Sequence, residues 1–108
     1  MAIVVVKFLD WDARRQHGLG LFNEDSIPVV ETLAHAYTSV ATFDVVADND
    51  EDAAEEVFDI SNNPSRDAAR QQLFGSQRSF SSGDIVEVNG TNYLCMSCNW
   101  AIVNLHSQ

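Results

Sequence analysis

The chain has 108 residues, a formal net charge of -10 and 45% hydrophobic residues. This length and hydrophobic fraction are typical of a globular domain with its own core, so we expect one domain over residues 1–108. Six basic residues stand against sixteen acidic ones, which disfavours a surface built to neutralise phosphates. Direct nucleic-acid binding is therefore not expected.

The apolar stretches are too short to span a membrane. The longest uninterrupted one, residues 2–6, is far from the roughly 20 residues that cross a bilayer. Lys7 follows this stretch instead of preceding it, and no small-residue cleavage site comes next, which is unlike a signal peptide. We expect a cytoplasmic protein without membrane contacts.

The N-terminal part of the chain predicts a strand, a loop, a helix and a second strand. Residues 2–9 are rich in β-branched side chains and predict a mostly buried strand. Residues 11–25 hold two glycines and an arginine pair without clear periodicity, which indicates a loop or a short helical turn. Residues 26–36 fit a short helix with Ser26 as its N-cap. Residues 37–46 alternate in polarity and predict the second strand.

The clearest helix covers residues 48–63, where acidic residues crowd the first turn and apolar residues form a stripe. Residues 65–74 predict a second, shorter helix that ends at Gly75.

The C-terminal part of the chain predicts a hairpin. Residues 85–88 and 93–96 flank Asn89-Gly90, a residue pair that favours a type I′ turn, and residues 101–105 predict a last strand. The predicted fold class is α+β, with a small antiparallel sheet of three to four strands packed against one or two helices.

A sequence pattern extends from residue 37 to residue 103. It combines a strand, a helix that ends in Phe and Asn residues, and an Arg-Ser-x-Ser-x-Gly-Asp turn leading into a hairpin with a tyrosine in its second strand. The residues that carry it are Phe58, Asn62, Asn63, Arg78, Ser79, Ser81, Gly83, Asp84 and Tyr93. This pattern resembles the YodL-like family of small proteins from phages, plasmids and prokaryotic chromosomes. It departs from the family at Cys98-Asn99-Trp100, where a Gly-aromatic pair is expected. The resemblance implies a small α+β domain from a virus or mobile element and no particular reaction.

Half of the acidic residues lie in one segment, because residues 44–59 hold eight of the sixteen and no Lys or Arg. Acidic residues near a helix N-terminus gain only about 0.3–1 kcal/mol each from the helix dipole, so helix stability alone does not account for them. One interpretation is a solvated helix face. The other is a binding module or inhibitor whose negative surface docks a basic surface of a host or viral protein. The predicted partner-binding residues are Asp48, Asp50, Glu51, Asp52, Glu55, Glu56 and Asp59.

The type of acidic residue offers a further interpretation. Ten of the sixteen acids are Asp, and Lys7 is the single lysine. This bias is typical of proteins that work in concentrated salt, where carboxylates keep the surface hydrated and their repulsion is screened within about 3 Å at 1 M. The acidity would then reflect a salt-loving host, or a virus of one, and not a binding surface.

Calcium binding fits the acidic segment poorly. Asp48, Asp50 and Asp52 occupy alternate positions as in an EF-hand loop, and Asp59 stands at the twelfth place. However, Ala53 replaces the glycine of the sharp turn, and Asp59 is too short for the bidentate Glu role.

Cys95 and Cys98 form a CxxC pair, and His106 follows. A metal-binding or thiol-redox protein is the alternative that these residues offer. A tetrahedral metal site needs a fourth ligand, and the glycine or proline that shapes a zinc knuckle is missing. We expect two reduced, partly buried thiols, with no metal and no cofactor.

The chain lacks the motifs of a catalyst. His17, His35 and His106 are scattered, no serine lies in a GxSxG elbow, and Gly18-Leu19-Gly20 lacks the third glycine of a dinucleotide loop. We predict that the protein is not an enzyme and has no catalytic residues.

Two polar segments remain. Arg14 and Arg15 lie near Trp11 and His17, and we expect a solvated loop or an ion pair with the acidic segment. Residues 78–84 fit a small anion or peptide site, or simply turn chemistry, which we prefer.

Overall fold

The computed structural model describes residues 1–97 and 99–106. Within these residues the chain forms a five-stranded antiparallel sheet and four α-helices, which confirms the α+β class. The elements are β1 (Ala2–Leu9), α1 (Trp11–Gln16), α2 (Ile27–Glu31), β2 (Tyr37–Val45), α3 (Asp50–Asn62), α4 (Asp67–Phe74), β3 (Ile85–Val88), β4 (Thr91–Cys95) and β5 (Trp100–Val103). In this part of the chain, no helix is long and apolar enough to cross a membrane.

The sheet has the strand order β2-β1-β3-β4-β5. The prediction of three to four strands in the sheet was too low, because all five predicted strand segments join one sheet, with β5 paired to β4 at an edge. β1 lies inside the sheet and pairs antiparallel with both β2 and β3. Its buried and partly exposed residues alternate, as expected for a pleated strand.

Apolar side chains are buried on both faces of the sheet. Because successive strand residues point to opposite faces, Phe8 and Val86 belong to one cluster, whereas Leu9 and Ile85 belong to the other. The first cluster includes Val57 and other residues of α3 and α4, and the second includes residues of α1 and α2. The sheet therefore lies between two layers of helices, whereas the prediction was a sheet packed against one or two helices.

Local side-chain chemistry sets several of the element boundaries. The Asn49 side chain accepts a hydrogen bond from the Asp52 backbone N–H at 2.8 Å, so α3 begins at Asp50, later than predicted. α4 begins at Asp67 because Pro64–Arg66 forms a separate 3-10 turn. At the predicted hairpin, Asn89 and Gly90 have φ values of 48° and 94°, as a type I′ turn requires.

Candidate functional site

The most acidic surface lies along one side of α3. Asp52, Glu55, Glu56 and Asp59 have the spacing i, i+3, i+4 and i+7, so one face of the helix carries all four. The opposite face, with Ala53, Val57 and Ile60, is buried against the sheet.

This face and the preceding loop form a groove of about 500 Å³, which we call the acidic groove. It is lined by Val46, Ala47, Asp48, Asp52, Glu55, Glu56 and Asp59. The structure therefore brings five of the seven predicted partner-binding residues together.

Arg66, just beyond α3, neutralises part of this charge. Its Nη1 atom lies 2.8 Å from Glu56 Oε1 and 2.8 Å from Asp59 Oδ2, and these hydrogen bonds raise the pKa of Arg66. Glu55 Oε1 accepts a hydrogen bond from Trp100 Nε1 at 2.6 Å. Five carboxylates and one guanidinium give the acidic groove a formal charge of -4.

The other two predicted residues do not line the groove. Asp50 points toward the sheet, where its Oδ2 accepts a hydrogen bond from Tyr93 Oη at 2.8 Å, and this bond raises the pKa of Tyr93. Glu51 is exposed. The EF-hand interpretation does not fit, since Asp50 and Asp52 belong to the first turn of a helix and not to a loop. Across residues 1–97 and 99–106, no three His, Cys, Asp or Glu side chains form a group that could hold a metal ion.

The CxxC alternative can be followed only at Cys95, because Cys98 lies outside the described residues. Cys95 is buried at the end of β4, and burial together with the nearby Asp84 charge raises the pKa of its thiol to about 12. A reactive or metal-binding cysteine needs a thiolate, which a low pKa and an accessible site supply. His106 is exposed near the end of the described chain. The geometry at Cys95 thus gives the thiol-redox interpretation no support.

A second polar cluster is buried at the junction of β1, α1 and β3, and we call it the Asp84 cluster. Asp84 is 0% exposed and accepts hydrogen bonds from the Leu9 backbone N–H, from Arg14 and Arg78, and from the Ser81 backbone N–H. Arg78 binds bidentately, with Nη1 2.7 Å from Oδ2 and Nη2 2.8 Å from Oδ1. The geometry satisfies the rule that a buried carboxylate must be paired and hydrogen-bonded.

Arg14 was predicted to lie in a solvated loop or to pair with the acidic segment, and this was wrong. It is buried in α1, and its Nη2 lies 3.1 Å from Asp84 Oδ1. Its guanidinium also packs over the rings of Trp11 at 4.4 Å and Phe22 at 5.4 Å. Desolvation lowers the pKa of Arg14, and Asp84 opposes this effect. Arg15 is exposed and pairs with Asp12, which also lies outside the acidic segment.

The residues of the YodL-like pattern hold the turn before β3 in place. Gly83 has a φ of 93° and donates its backbone N–H to Cys95 O at 2.7 Å. Asn62 Nδ2 donates to Phe80 O at 3.0 Å, and the Phe58 ring packs edge-on against Phe80. These contacts agree with the preferred interpretation of residues 78–84 as turn chemistry.

Comparisons of the chain with protein-family models, with curated proteins and with solved structures found no match. The resemblance to YodL-like proteins therefore stays a prediction.

Proposed function

We propose that the protein is a binding module that docks a basic segment of a partner protein in the acidic groove. The observation that carries this proposal is the convergence of five carboxylates on one groove with a formal charge of -4. Charge gathered in this way accelerates the encounter with an oppositely charged surface and selects against acidic partners.

The chemistry of the groove describes the partner segment. Glu56 and Asp59 already share Arg66, so Asp48, Asp52 and Glu55 are the carboxylates that a partner arginine or lysine would meet first. Val46, which is 80% exposed, adds an apolar contact at the same groove. A segment that combines arginines with an aliphatic residue matches both features. A host or viral origin of the partner is also part of the proposal, and it rests on the YodL-like resemblance alone.

Removing the available carboxylates provides the test. The triple variant Asp48→Asn, Asp52→Asn, Glu55→Gln keeps the Arg66 pairs intact and should bind an arginine-rich peptide at least about tenfold more weakly than the parent protein. Fluorescence anisotropy of the labelled peptide measures this change. Binding to the parent should weaken steeply between low and high KCl, because the charges are exposed and screened.

A matched variant separates the groove from net charge. The control variant also loses three negative charges, but from exposed positions outside the groove: Glu24→Gln, Asp25→Asn and Asp67→Asn. It should bind the peptide as well as the parent protein does. Equal weakening in both variants, or no binding to the parent, would overturn the proposal. If binding is absent and the unfolding midpoints of all three proteins rise alike toward molar KCl, salt adaptation accounts for the acidity.

A further inference from the structure

A second cavity lies beside the Asp84 cluster, on elements that do not contribute to the acidic groove. It has a volume of about 540 Å³, which falls within the range of about 300–1,000 Å³ that small-molecule sites occupy. Its lining includes Trp11, Arg14, Arg15, Leu19, Ser81 and Ser82. The lining thus combines apolar surface with two arginines and two serines.

The charge at this cavity is opposite in sign to that of the whole chain. Arg14 and Arg78 share the one carboxylate of Asp84, so these three side chains have a formal charge of +1. Within the part of the chain that the structure describes, Arg15 pairs with Asp12, and both side chains are exposed. An exposed pair of this kind is weak, so the Arg15 guanidinium can turn to a competing anion at little cost.

The protein's own acceptors leave Arg14 partly unsatisfied. Its side chain is only 8% exposed, and its Nε is a buried nitrogen for which the described residues supply no hydrogen-bond partner. Its other nitrogens are paired, because Nη1 donates to Ser82 O at 2.6 Å and Nη2 donates to Ser81 Oγ at 3.3 Å and to Asp84 Oδ1 at 3.1 Å.

Trp11 supplies a flat aromatic surface at the same cavity. Trp11 is 54% exposed, although the Arg14 and Arg78 guanidiniums lie 4.4 Å and 5.2 Å from the centre of its ring. The exposed part of this indole is apolar surface against which the ring of a planar ligand can pack.

We propose that this cavity binds a small planar anion, meaning an aromatic ring that carries a phosphate or a carboxylate. The ring packs against Trp11 and Leu19. The anionic group is bound by the Arg15 guanidinium and the Ser82 hydroxyl, within the positive field of Arg14, whereas the Ser81 hydroxyl stays bonded to Asp84 Oδ2 at 3.4 Å.

The first experiment compares probes that contain the ring, the anion or both. The Trp100→Phe variant leaves Trp11 as the single tryptophan, so its fluorescence reports on the cavity. AMP or benzoate should saturate with a Kd below about 1 mM, whereas adenosine and inorganic phosphate alone should bind at least about tenfold more weakly. AMP and benzoate distinguish a phosphate from a carboxylate as the anionic group. Equal binding of adenosine and AMP, or no saturation by AMP or benzoate up to about 10 mM, would overturn the proposal.

The second experiment assigns the binding to this cavity. Arg15→Gln should weaken binding of the preferred probe about tenfold, because it removes an exposed guanidinium without disturbing the buried cluster. Arg70→Gln, a matched change outside the cavity, should have no effect. Trp11→Ala, measured by calorimetry, should weaken both the ring-only and the ring-plus-anion probes. If neither Arg15→Gln nor Trp11→Ala changes the Kd of the probe, the ligand does not bind in this cavity and the proposal is wrong. These results are independent of peptide docking in the acidic groove, so either proposal can fail alone.

Discussion

The carboxylate of Asp84 joins parts of the chain that are far apart in sequence. Its donors come from Leu9 and Arg14 near the N-terminus and from Arg78 and Ser81 close to Asp84 itself. A buried ion pair stabilises a fold only while every partner is present, because removing one partner leaves uncompensated charge in a region of low dielectric constant.

Asp84→Asn should therefore lower the free energy of unfolding by about 3–5 kcal/mol, since Arg14 and Arg78 lose their shared anion. Urea unfolding followed by circular dichroism measures this loss. Asp44→Asn, an exposed change on β2, is the matched control and should stay within about 0.5 kcal/mol of the parent. A loss below about 1 kcal/mol for Asp84→Asn would mean that the cluster is not important for stability.

The sequence predicted one half of the Asp84 cluster and missed the other. Gly83 and Asp84 stand in a recognisable turn pattern, because the bonds within residues 78–84 are local. Arg14 lies 70 positions from Asp84 in the sequence. It stands next to Arg15, and two adjacent arginines are typical of an exposed basic segment. The spacing of residues along the chain does not indicate that Arg14 pairs with Asp84, because only the folded structure brings the two side chains together.

At the scale of elements, the turn before β3 depends on a close approach between Gly83 and Phe22. Gly83 has a φ of 93°, and a Cβ atom added there would overlap the Phe22 ring, which is itself buried. Glycine is therefore required twice, for the backbone conformation and for the space.

Gly83→Ala should destabilise the protein by about 2–3 kcal/mol, because the new methyl group both strains the backbone and displaces a core ring. Gly20→Ala provides the comparison, since a Cβ there meets nothing within 4 Å, and its stability should change by less than about 1 kcal/mol. Thermal unfolding of the two variants separates these outcomes. Similar midpoints for both would show that the ring moves aside freely.

Elements with strong local signals were predicted well. The bounds of β1 are as expected, the hairpin turn lies at Asn89 and Gly90, and the main helix is present with slightly shorter ends. The sequence did not clearly predict α1. This six-residue helix has no side-chain cap, and it depends on the buried contacts of Ala13 and Arg14. Strand order was also beyond the sequence pattern, since alternation shows that a strand forms but not which strands lie beside it.

The acidic groove illustrates the same limit at a functional surface. The spacing of Asp52, Glu55, Glu56 and Asp59 on a predicted helix is enough to place them on one face. The sequence did not predict that Asp50 turns toward the sheet, because this depends on how the helix packs. It also did not predict that Arg66 pairs with Glu56 and Asp59, because this depends on the path of the chain after the helix.

For the whole molecule, stability should fall as the pH rises above about 9. Burial raises the pKa of the Cys95 thiol from 9.0 to about 12 and raises the pKa of the Tyr37 hydroxyl, which donates to Gly83 O at 2.7 Å. The unfolded chain loses these protons at ordinary pH values while the folded chain keeps them. The free energy of unfolding is therefore fully retained below pH 9 and decreases from there upward.

Urea unfolding at a series of alkaline pH values measures this decrease. Tyr37→Phe removes one of the two groups, so its free energy of unfolding should decline less steeply above pH 10 than that of the parent. It should also be about 1 kcal/mol less stable at neutral pH, because the hydrogen bond to Gly83 is lost. A parent whose stability is flat up to pH 11 would contradict the assigned burial of both groups.

The interior position of β1 also governs how the chain acquires its fold during synthesis. β1 is synthesised before the other strands of the sheet, yet one of its two neighbours, β3, is complete only when residue 88 has been added. Until then β1 has one unpaired edge, and a nascent chain held on the ribosome has no finished sheet for its helices to cover. Such late closure between distant segments makes for slow folding, so assembly of the sheet waits for translation of the C-terminal hairpin.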